Sequence, residues 1–375
     1  MKVSPHLVLV ISSLGGGGAE KVMANLANSY SARGVRVSLV TFDDPKMKTD
    51  VYKSSKQVHR ISLFVAFSPS IFSKFLAHVK RYWLLRQLLR SEQADVVLSF
   101  MTPTNILTIA ATRALNTRCV VSERINPSHY SYGVIYNLCR YLLYRKADCV
   151  VAQTPQIARW LNKKTDSPTS VIPNFLSEGL ICSTVQKRKR IVAIGRLNRQ
   201  KGFDLLVGAF GKISEDFPEW SLIIAGEGPE RDVLERKIDD LSLQQRVQLC
   251  GFIKQPIEIM QSASIVVLPS RFEGFPNALL EAMACGCPAI ATHEAGDMLI
   301  KDGVNGLLIP ADDVDALSKA LKRLIENPQL RKNLGEKAIG VRETFSEERV
   351  MRLWDNVLFP SLRIEESGRQ EHETN

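Results

Sequence analysis

Two glutamates flank the predicted start of a helix in the stretch SRFEGFPNALLEAMACGCPAIAT, residues 270–292. Glu273 lies in the loop before this helix, which we predict over 277–285, and Glu281 lies one turn inside it. Backbone N–H groups at a helix start favour an anion such as phosphate. They would come here from Phe275, Asn277 and Ala278. Carboxylates do not bind phosphate but accept hydrogen bonds from hydroxyls, so the stretch predicts a ligand with sugars on both sides of its phosphates. A helix cap and an ordinary helix residue would explain the same pair equally well.

Two cations lie five residues apart in GRLNRQKGFDLLVGAF, residues 195–210. Arg196 and Lys201 follow a predicted strand and precede a helix that we expect to begin near Phe203. Two cations beside the positive end of a helix suit a pyrophosphate. A pair of surface salt-bridging residues is the simpler alternative.

Four consecutive glycines, Gly15 to Gly18, follow the first predicted strand and precede a helix that should begin near Ala19. Such a loop lets backbone N–H groups approach an anion. Gly15 and Gly17 also match the dinucleotide fingerprint, but Glu20 occupies its third glycine position. Asp43 and Asp44 lie where a ribose-binding acid would be, so an NAD-dependent oxidoreductase remains an alternative.

These loops need a scaffold, and short β-branched segments alternating with helical patterns predict βαβ units with parallel sheets. A first series of strands is predicted at 6–12, 36–42, 58–63, 94–100, 118–123 and 148–154. A second series is predicted at 190–196, 221–228, 246–252, 264–270, 287–292 and 306–310. The 375 residues suit two domains. We therefore predict an α/β protein of two Rossmann-like doubly wound domains facing a cleft, with ligands at the carboxyl ends of the strands.

The predicted organisation has five parts. They are an N-terminal domain over 1–174, a linker over 175–190, a C-terminal domain over 191–345, a helix over 346–362 that packs back on the N-terminal domain, and a tail over 363–375.

Asp313-Val-Asp315 has the spacing of a metal-binding Asp-x-Asp motif, but acids in the first turn of a helix are typical of capping. We therefore expect no metal.

The net charge of +10 is unevenly distributed. Residues 1–173 carry 23 Lys and Arg against 9 Asp and Glu, whereas residues 174–375 carry 26 against 30. The segment 71–90 predicts a basic amphipathic helix, and 136–146 is similar. The cations of the segment 71–90 include Lys74, Lys80, Arg81 and Arg86. An anionic membrane surface is the favoured partner and a solvated core helix the alternative. Nucleic acid is disfavoured because no recognition module is evident.

Targeting signals are also informative. No run of eighteen uncharged apolar residues occurs, and no cleavage site follows the apolar stretch near the N-terminus. Seven scattered cysteines, an odd number, suit a reducing compartment. We therefore expect a protein that is neither exported nor membrane-spanning.

Several of these motifs, taken together over about residues 6–360, resemble those of retaining glycosyltransferases of the GT-B class, family 4. The motifs are GGAE at 17–20, GRLNRQKG at 195–202, AGEGPER at 225–231, and the Glu-x7-Glu of 273–281 with ACGCPAIAT after it. The resemblance implies that Arg196 and Lys201 hold a nucleotide diphosphate. It likewise assigns the ribose to Glu281 and the donor sugar to Glu273.

The resemblance has further implications for the N-terminal domain and the base. Gly17, Gly18 and Glu20 would face the reacting end, and the strand end from Gly251 to Ile253 would border the base. Many members have a histidine where VVSERINP places Glu123 and Arg124, and the resemblance implies that these two residues contact substrate. This variant resembles a bacterial subgroup that adds N-acetylhexosamines to undecaprenyl-diphosphate-linked glycans. The segment 295–299 departs from the family pattern, which leaves its donor contacts open.

The implied activity is transfer of a sugar, an N-acetylhexosamine, from a UDP-sugar to a lipid-linked saccharide with retention at the anomeric carbon. No metal is expected, because Arg196 and Lys201 would neutralise the leaving group. We expect a cytoplasmic protein held peripherally on the inner face of the plasma membrane. A catalytically degenerate, membrane-associated scaffold is the alternative of a different class.

Overall fold

The computed structural model describes residues 4–44, 51–52, 54–66, 70–176, 187–253 and 256–360. The chain divides into two compact units. Unit 1 comprises Met1–Pro173 with Val350–Asn375, and unit 2 comprises Asn174–Arg349. Most of the predicted linker, 177–186, and the predicted tail lie outside the described residues. Among the helices that are described, none has the length and apolar character needed to cross a bilayer.

Unit 1 contains a seven-stranded parallel sheet in the order β3-β2-β1-β4-β5-β6-β7. Its strands are β1 (His6–Val10), β2 (Arg36–Thr41), β3 (His59–Ser62), β4 (Val96–Phe100), β5 (Arg118–Glu123), β6 (Cys149–Ala152) and β7 (Thr169–Val171). Its helices are α1 (Gly18–Ala32), α2 (Ile71–Ser91), α3 (Thr102–Thr112), α4 (Val134–Leu143) and α5 (Pro155–Thr165), and a 3₁₀ turn covers Tyr144–Lys146.

The central strands of unit 1 are buried along their whole length, as strands covered by helices on both faces must be. β1 (HLVLV) and β4 (VVLSF) have no exposed position. The sequence prediction missed β7, because this strand has three residues and all of them are at least partly exposed at the sheet edge. A segment of that length and burial has no periodic signal.

The end of the chain packs on unit 1 through the helix α14 (Glu347–Leu358). Trp354 is 1% exposed and lies 6.2 Å from Phe100, centroid to centroid. Asp355 accepts hydrogen bonds from Tyr30 (3.0 Å) and from both terminal nitrogens of Arg33. A buried aromatic of this size costs about 3–5 kcal/mol when it is truncated to alanine, so this helix is part of the core of unit 1.

Unit 2 contains a six-stranded parallel sheet in the order β10-β9-β8-β11-β12-β13. Its strands are β8 (Arg188–Ile194), β9 (Ser221–Ala225), β10 (Val247–Leu249), β11 (Ala263–Leu268), β12 (Ala289–Thr292) and β13 (Leu307–Ile309). Its helices are α6 (Phe203–Ile213), α7 (Arg231–Asp240), α8 (Ile257–Ser262), α9 (Asn277–Ala284), α10 (His293–Gly296), α11 (Val314–Glu326), α12 (Pro328–Ala338) and α13 (Val341–Thr344), with a 3₁₀ turn over Arg199–Lys201.

One boundary of the predicted linker is wrong. The basic run 187–190 was assigned to the linker, but Arg188–Arg190 form the first three residues of β8 and Arg190 pairs with Ser221 of β9. Their side chains are largely exposed, whereas Ile191 onward is buried. Strand pairing, which involves the backbone, therefore extends beyond the apolar residues that mark the strand in the sequence.

Each sheet has one place where the order of strands reverses, and ligands of open α/β sheets bind at the carboxyl edge there. In unit 1 this point lies between β1 and β4, and in unit 2 it lies between β8 and β11. The glycine loop 15–18 follows β1, the loop with Arg196 and Lys201 follows β8, and the loop with Glu273 follows β11. Parallel pairing thus brings the predicted loops of each unit to the expected edge.

Candidate functional site

The two loops at the switch point of unit 2 meet through a short ion pair. Lys201 Nζ lies 2.6 Å from Glu273 Oε1, and Ser270 Oγ donates to the same oxygen at 2.6 Å. The Lys201 side chain is 19% exposed and that of Glu273 is 8% exposed. A cation and a carboxylate predicted separately, 72 residues apart, therefore share one partly desolvated position.

Hydrogen bonds between the two loops fix this position. Gln200 donates to the carbonyl of Phe272 at 2.9 Å, and the N–H of Arg271 donates to the carbonyl of Gln200 at 2.8 Å. Arg271 also forms a two-pronged pair with Asp204 at 2.9 and 3.0 Å. Desolvation opposes ionisation of Asp204, but the hydrogen bonds and charge of Arg271 outweigh it, so the pKa of Asp204 is lowered. The loops are thus held by charged groups that the sequence analysis did not single out.

Two glycines of the GRLNRQKG loop are required by close approaches. Gly202 has a φ of +65°, and a Cβ there would meet the carbonyl oxygen of Pro269. A Cβ on Gly195 would lie 3.0 Å from Cε of Lys201. Gly195 therefore leaves the space in which the aliphatic part of Lys201 lies, and Gly202 lets the loop turn against the end of β11.

Arg196 lies on the same loop with an exposed side chain. The backbone next to it is anchored, because Leu197 N–H donates to the carbonyl of Glu227 and the Leu197 carbonyl accepts from Glu230 N–H, both at 2.9 Å. A Cβ on Gly228 would meet the Leu197 carbonyl, which accounts for the second glycine of AGEGPER. Arg196 is therefore an exposed cation on an anchored backbone.

The start of α9 differs in part from the expectation. Asn277 N–H donates to the carbonyl of Phe275 at 3.1 Å, so it is not the unengaged donor predicted from the sequence. The Asn277 side chain accepts from Asn174 Nδ2 at 2.7 Å, and the Phe275 ring is buried against Phe345. The turn at Pro276 produces this bond, because the backbone folds back before the helix begins. Ala278 and Glu281, in contrast, lie half-buried on α9.

The predicted border of a base follows β10. Gly226 N–H donates to the Gly251 carbonyl at 2.8 Å, and Ile253 is half-buried. Between them Phe252 is 61% exposed. Its ring is thus open to a flat ligand, and a large aromatic in a short loop after a strand was a signal that the sequence analysis did not use.

In unit 1, Gly17 is the N-cap of α1 and Gly18 its first residue, one position before the predicted start. The carboxylate of Glu20 occupies the space that a Cβ on Gly17 would take. Desolvation raises the pKa of Glu20, although backbone hydrogen bonding opposes the shift. The glycine loop and an acid with a raised pKa therefore lie together at the carboxyl edge of this sheet.

Glu123 and Arg124, at the end of β5, are buried. Glu123 accepts from Tyr144 at 2.5 Å and from Thr102 at 3.0 Å, and it lies 3.2 Å from Arg140 Nε. Both partners of the Glu123–Arg140 pair are 2% exposed. The Glu123 carboxylate is thus engaged inside unit 1, and direct contact with substrate, which the resemblance implied, is not what its geometry favours.

Arg124 is 7% exposed and its guanidinium lies 3.6 Å from the centroid of Phe100. Burial lowers the pKa of Arg124 to about 9, whereas the ring face favours the charged form. The guanidinium also lies 5.9 Å from the centroid of the Trp354 ring. The sequence did not show these two aromatic partners, because they lie in other parts of the chain.

The acids 313 and 315 behave as the capping hypothesis predicts. Asp313 is the N-cap of α11 and accepts from Ala316 N–H at 2.8 Å, and Asp315 pairs with Lys212. Within the described ranges no cluster of His, Cys, Asp and Glu has the arrangement of a metal site.

The four cations assigned to a membrane surface on α2 are not equivalent. Arg86 Nη1 donates to the carbonyls of Ala111 (2.8 Å) and Arg113 (2.7 Å), so this nitrogen holds α2 on the end of α3 and is not available to lipid. Arg81 lies 5.6 Å from the Phe42 ring and is half-buried. Lys80 is exposed. The side chain of Lys74 lies outside the described part of the chain.

Comparison with known families places this geometry in a class. The model described as Glycosyltransferase Family 4 matches residues 16–178, and the model described as Glycosyl transferases group 1 matches residues 183–341. The chain therefore belongs to the GT-B glycosyltransferases of group 1 and family 4, and it is a glycosyltransferase.

Two curated relatives are N-acetylgalactosaminyltransferases of Campylobacter jejuni. One is named GalNAc-alpha-(1->4)-GalNAc-alpha-(1->3)-diNAcBac-PP-undecaprenol alpha-1,4-N-acetyl-D-galactosaminyltransferase, and it is 27% identical over 94% of this chain and 97% of its own length. The other acts, by its name, on N-acetylgalactosamine-N,N'-diacetylbacillosaminyl-diphospho-undecaprenol and is 28% identical over 92% and 97%.

Two solved structures show the same fold. Sucrose-phosphate synthase from Thermosynechococcus elongatus has a TM-score of 0.82 at 20% identity, over 96% of this chain and all of that one. Anabaena HepE in complex with UDP has a TM-score of 0.79 at 21% identity, over the same shares. The family matches, which make the chain a glycosyltransferase, contradict the NAD-dependent alternative. Its physical weakness was the Glu20 side chain at the third glycine position, and Asp43, its proposed ribose acid, lies 3.6 Å from Arg60.

Proposed function

We propose that this glycosyltransferase moves an N-acetylhexosamine from a UDP-sugar to an undecaprenyl-diphosphate-linked saccharide, with retention at the anomeric carbon. Unit 2 would bind the donor and unit 1 the acceptor. The UDP bound to Anabaena HepE supports the nucleotide, and the names of the Campylobacter relatives support the sugar and the lipid-linked acceptor.

The Lys201–Glu273 pair is the observation that carries the proposal. Departure of UDP leaves negative charge on the diphosphate and positive, oxocarbenium-like character on the sugar. Lys201, with Arg196 on the same loop, supplies cations for the diphosphate, and Glu273 supplies an acceptor for sugar hydroxyls. Cations for the negative charge of the diphosphate and a carboxylate for the positive charge of the sugar thus lie together in unit 2.

The ion pair also gives Lys201 a defined location before the donor arrives. Its stem lies beside Gly195, and Glu273 holds its ammonium at 2.6 Å. An incoming diphosphate would gain a charge-assisted contact from a side chain whose rotamer is already selected, which lowers the entropy cost of binding. Two cations can neutralise the leaving group without a metal, so we propose metal-independent transfer.

The surface of unit 1 supports attachment to an anionic bilayer. One stripe of α2 exposes Leu76, Val79 and Trp83 (49%, 38% and 60%), and Lys80 and Arg90 lie along it. On α4 the exposed apolar residues are Val134 (84%), Ile135 (77%), Leu138 (56%) and Leu142 (49%). Aliphatic side chains exposed to this extent on adjacent turns, followed by the exposed Arg145 and Lys146, suit an acyl boundary with anionic headgroups.

Activity is tested by incubating the protein with a panel of UDP-sugars and an undecaprenyl-diphosphate-linked saccharide. UDP release and the anomeric configuration of the product, determined by NMR, are measured. Acceptor-dependent release with an α-linked product from an α-linked donor is expected. A product of inverted anomeric configuration would overturn the retaining mechanism. If none of the UDP-sugars on the panel releases UDP, the proposed reaction is overturned.

Membrane attachment is tested by sedimentation with phosphatidylglycerol vesicles. The variant Val134→Ser, Ile135→Asn, Leu138→Gln should bind at least tenfold more weakly, because burial of each such side chain contributes roughly 1.5–3 kcal/mol. The control Val233→Ser, Leu241→Gln removes exposed apolar side chains of unit 2, which are 40% and 41% exposed, and should bind as the wild type does. If the α4 variant binds vesicles normally but loses a dimer seen in size-exclusion chromatography, the face contacts a second copy rather than lipid.

A further inference from the structure

Three tyrosines of unit 1 form a continuous aromatic cluster after β5. Tyr130 and Tyr132 have ring centroids 5.0 Å apart at 80°, and Tyr132 and Tyr136 have centroids 6.0 Å apart at 61°. Tyr130 is 43% exposed, and the other two are partly exposed. Edge-to-face packing of this kind leaves ring faces and phenol groups available on the outer side of the cluster.

The cluster lies at the edge of the sheet where ligands bind. Tyr130 and Tyr132 belong to the connection between β5 and α4, and Tyr136 lies in the first turn of α4. The cluster therefore follows the carboxyl end of β5, a strand that neighbours β4 at the switch point. Glu20, in the first turn of α1, follows β1, which pairs with β4 on the side opposite β5. The start of α1 and the tyrosines after β5 therefore lie at the same carboxyl edge of the sheet.

A buried ion pair and local hydrogen bonds hold the connection between β5 and α4 in place. Arg140 of α4 is buried, pairs with Glu123 at 3.2 Å and donates to Thr102 at 2.8 Å. Ser131 Oγ accepts from Gly133 N–H at 3.0 Å and from Asn137 Nδ2 at 2.9 Å. The tyrosines are thus attached to a buried ion pair and a local hydrogen-bonded turn, which positions the rings before any ligand binds.

The surrounding chemistry suits a sugar. A pyranose ring has apolar C–H faces that pack on aromatic rings and hydroxyls that bond to phenols and carboxylates. Burial first, then the charges of Glu123, Tyr130 and Glu20, raise the pKa of Tyr132, so its phenol keeps its proton and can donate. On the same helix, residues 134, 135 and 138 are aliphatic. The side chains therefore change from sugar-binding to lipid-binding types within one turn.

We propose that Tyr130, Tyr132 and Tyr136, with Glu20, form the subsite that binds a pyranose of the acceptor saccharide. This inference rests on the proposed glycosyl transfer and deepens it, since it names the side chains that recognise the acceptor's sugar as distinct from its lipid. The tyrosines bind and orient the acceptor and take no part in bond making.

The test compares Tyr130→Leu and Tyr132→Leu with Tyr132→Phe and a control, Tyr141→Leu. Tyr141 lies on the same helix, is 37% exposed and contacts Trp160 instead of the cluster. We expect the KM for the lipid-linked acceptor to rise by on the order of tenfold in both cluster leucine variants. Tyr132→Phe, which keeps the ring, should lose less, and Tyr141→Leu should behave as the wild type. UDP affinity should be equal in all five proteins.

A second measurement separates the sugar from the lipid and diphosphate. Binding of a free α-1,4-linked N-acetylgalactosamine disaccharide is followed by saturation-transfer NMR, and it should weaken in Tyr130→Leu, whose exposed side chain is not needed for folding. An unchanged acceptor KM, or equal disaccharide binding by wild type and variants, would overturn the subsite. If the wild type releases UDP from no donor, the proposed reaction fails, and the disaccharide measurement still decides the inference.

Discussion

Lys201 and Glu273 form an ion pair of 2.6 Å between the loops that follow β8 and β11, the two strands at the switch point of unit 2. Ser270 donates to the same carboxylate oxygen, so Glu273 keeps one partner when Lys201 turns to an incoming phosphate. The pair therefore couples the group assigned to the diphosphate with the group assigned to the transferred sugar.

Replacing Lys201 by alanine tests this coupling. Loss of a charge-assisted contact to a phosphate costs about 1.5–3 kcal/mol, so UDP affinity and kcat/KM should fall by roughly tenfold to a hundredfold. Lys212→Ala is the matched control, because Lys212 also pairs with a carboxylate of unit 2, that of Asp315, at an exposed position. Calorimetry with UDP measures the effect, and equal affinities in the two variants would remove Lys201 from the donor site.

The two glutamates should have different kinetic signatures. Glu273→Gln is expected to lower mainly kcat with UDP affinity nearly intact, because contacts to the sugar strengthen as its charge develops. Glu281→Gln should raise KM for every UDP-sugar and weaken UDP itself, since the ribose does not change during the reaction. If Glu273→Gln instead loses UDP affinity while Glu281→Gln keeps it, the roles assigned to the two glutamates are reversed.

Chelation tests the proposed independence from metal. With the diphosphate neutralised by Arg196 and Lys201, activity in excess EDTA should equal that in buffer, measured as initial UDP release after dialysis. A loss that Mn²⁺ restores would contradict the prediction. Asp313→Asn would then serve as a control, because Asn keeps the cap of α11 and removes only the charge, so activity should be unchanged.

The buried ion pair of Glu123 and Arg140 can be tested by the stability of single and double variants. Arg140→Met leaves the carboxyl of Glu123, 2% exposed, without its partner, which should destabilise unit 1 by about 3–5 kcal/mol in denaturant titrations. The double variant Arg140→Met, Glu123→Leu removes both charges and should recover much of this loss. A double variant as unstable as the sum of the single ones would mean that the two residues act independently.

Glu20 predicts a pH dependence whose sign follows from desolvation. Its pKa in the folded state is raised above 4.5, so folding favours the protonated form. Stability contributed by this group is therefore fully present below pH 4.5 and is lost as the pH rises through the folded pKa. Relative to wild type, Glu20→Gln should become more stable from pH 4 to pH 7.5 in urea titrations, and a difference that does not change with pH would contradict the assignment.

Local patterns were sufficient for much of the fold. Alternating β-branched and helical segments predicted twelve of the strands within a few residues, and four glycines predicted the start of α1 to one residue. These features depend on neighbours in sequence and on burial on both faces, which the central strands of each sheet share. β7 was missed because three partly exposed residues at an edge have no such pattern.

Residue types and spacing likewise selected Arg196, Lys201, Glu273 and Glu281 as candidates for a donor site, because cations bind phosphates and carboxylates accept hydrogen bonds from sugar hydroxyls. Their roles stay predictions. Tertiary structure alone decided what each side chain contacts. Lys201 meets Glu273 because β8 and β11 are neighbours, Arg86 bonds to the end of α3 instead of facing outward, and Glu123 is paired with Arg140 in the core. Sequence spacing does not record which distant segments pack together, and a long charged side chain adopts whichever partner that packing brings within reach.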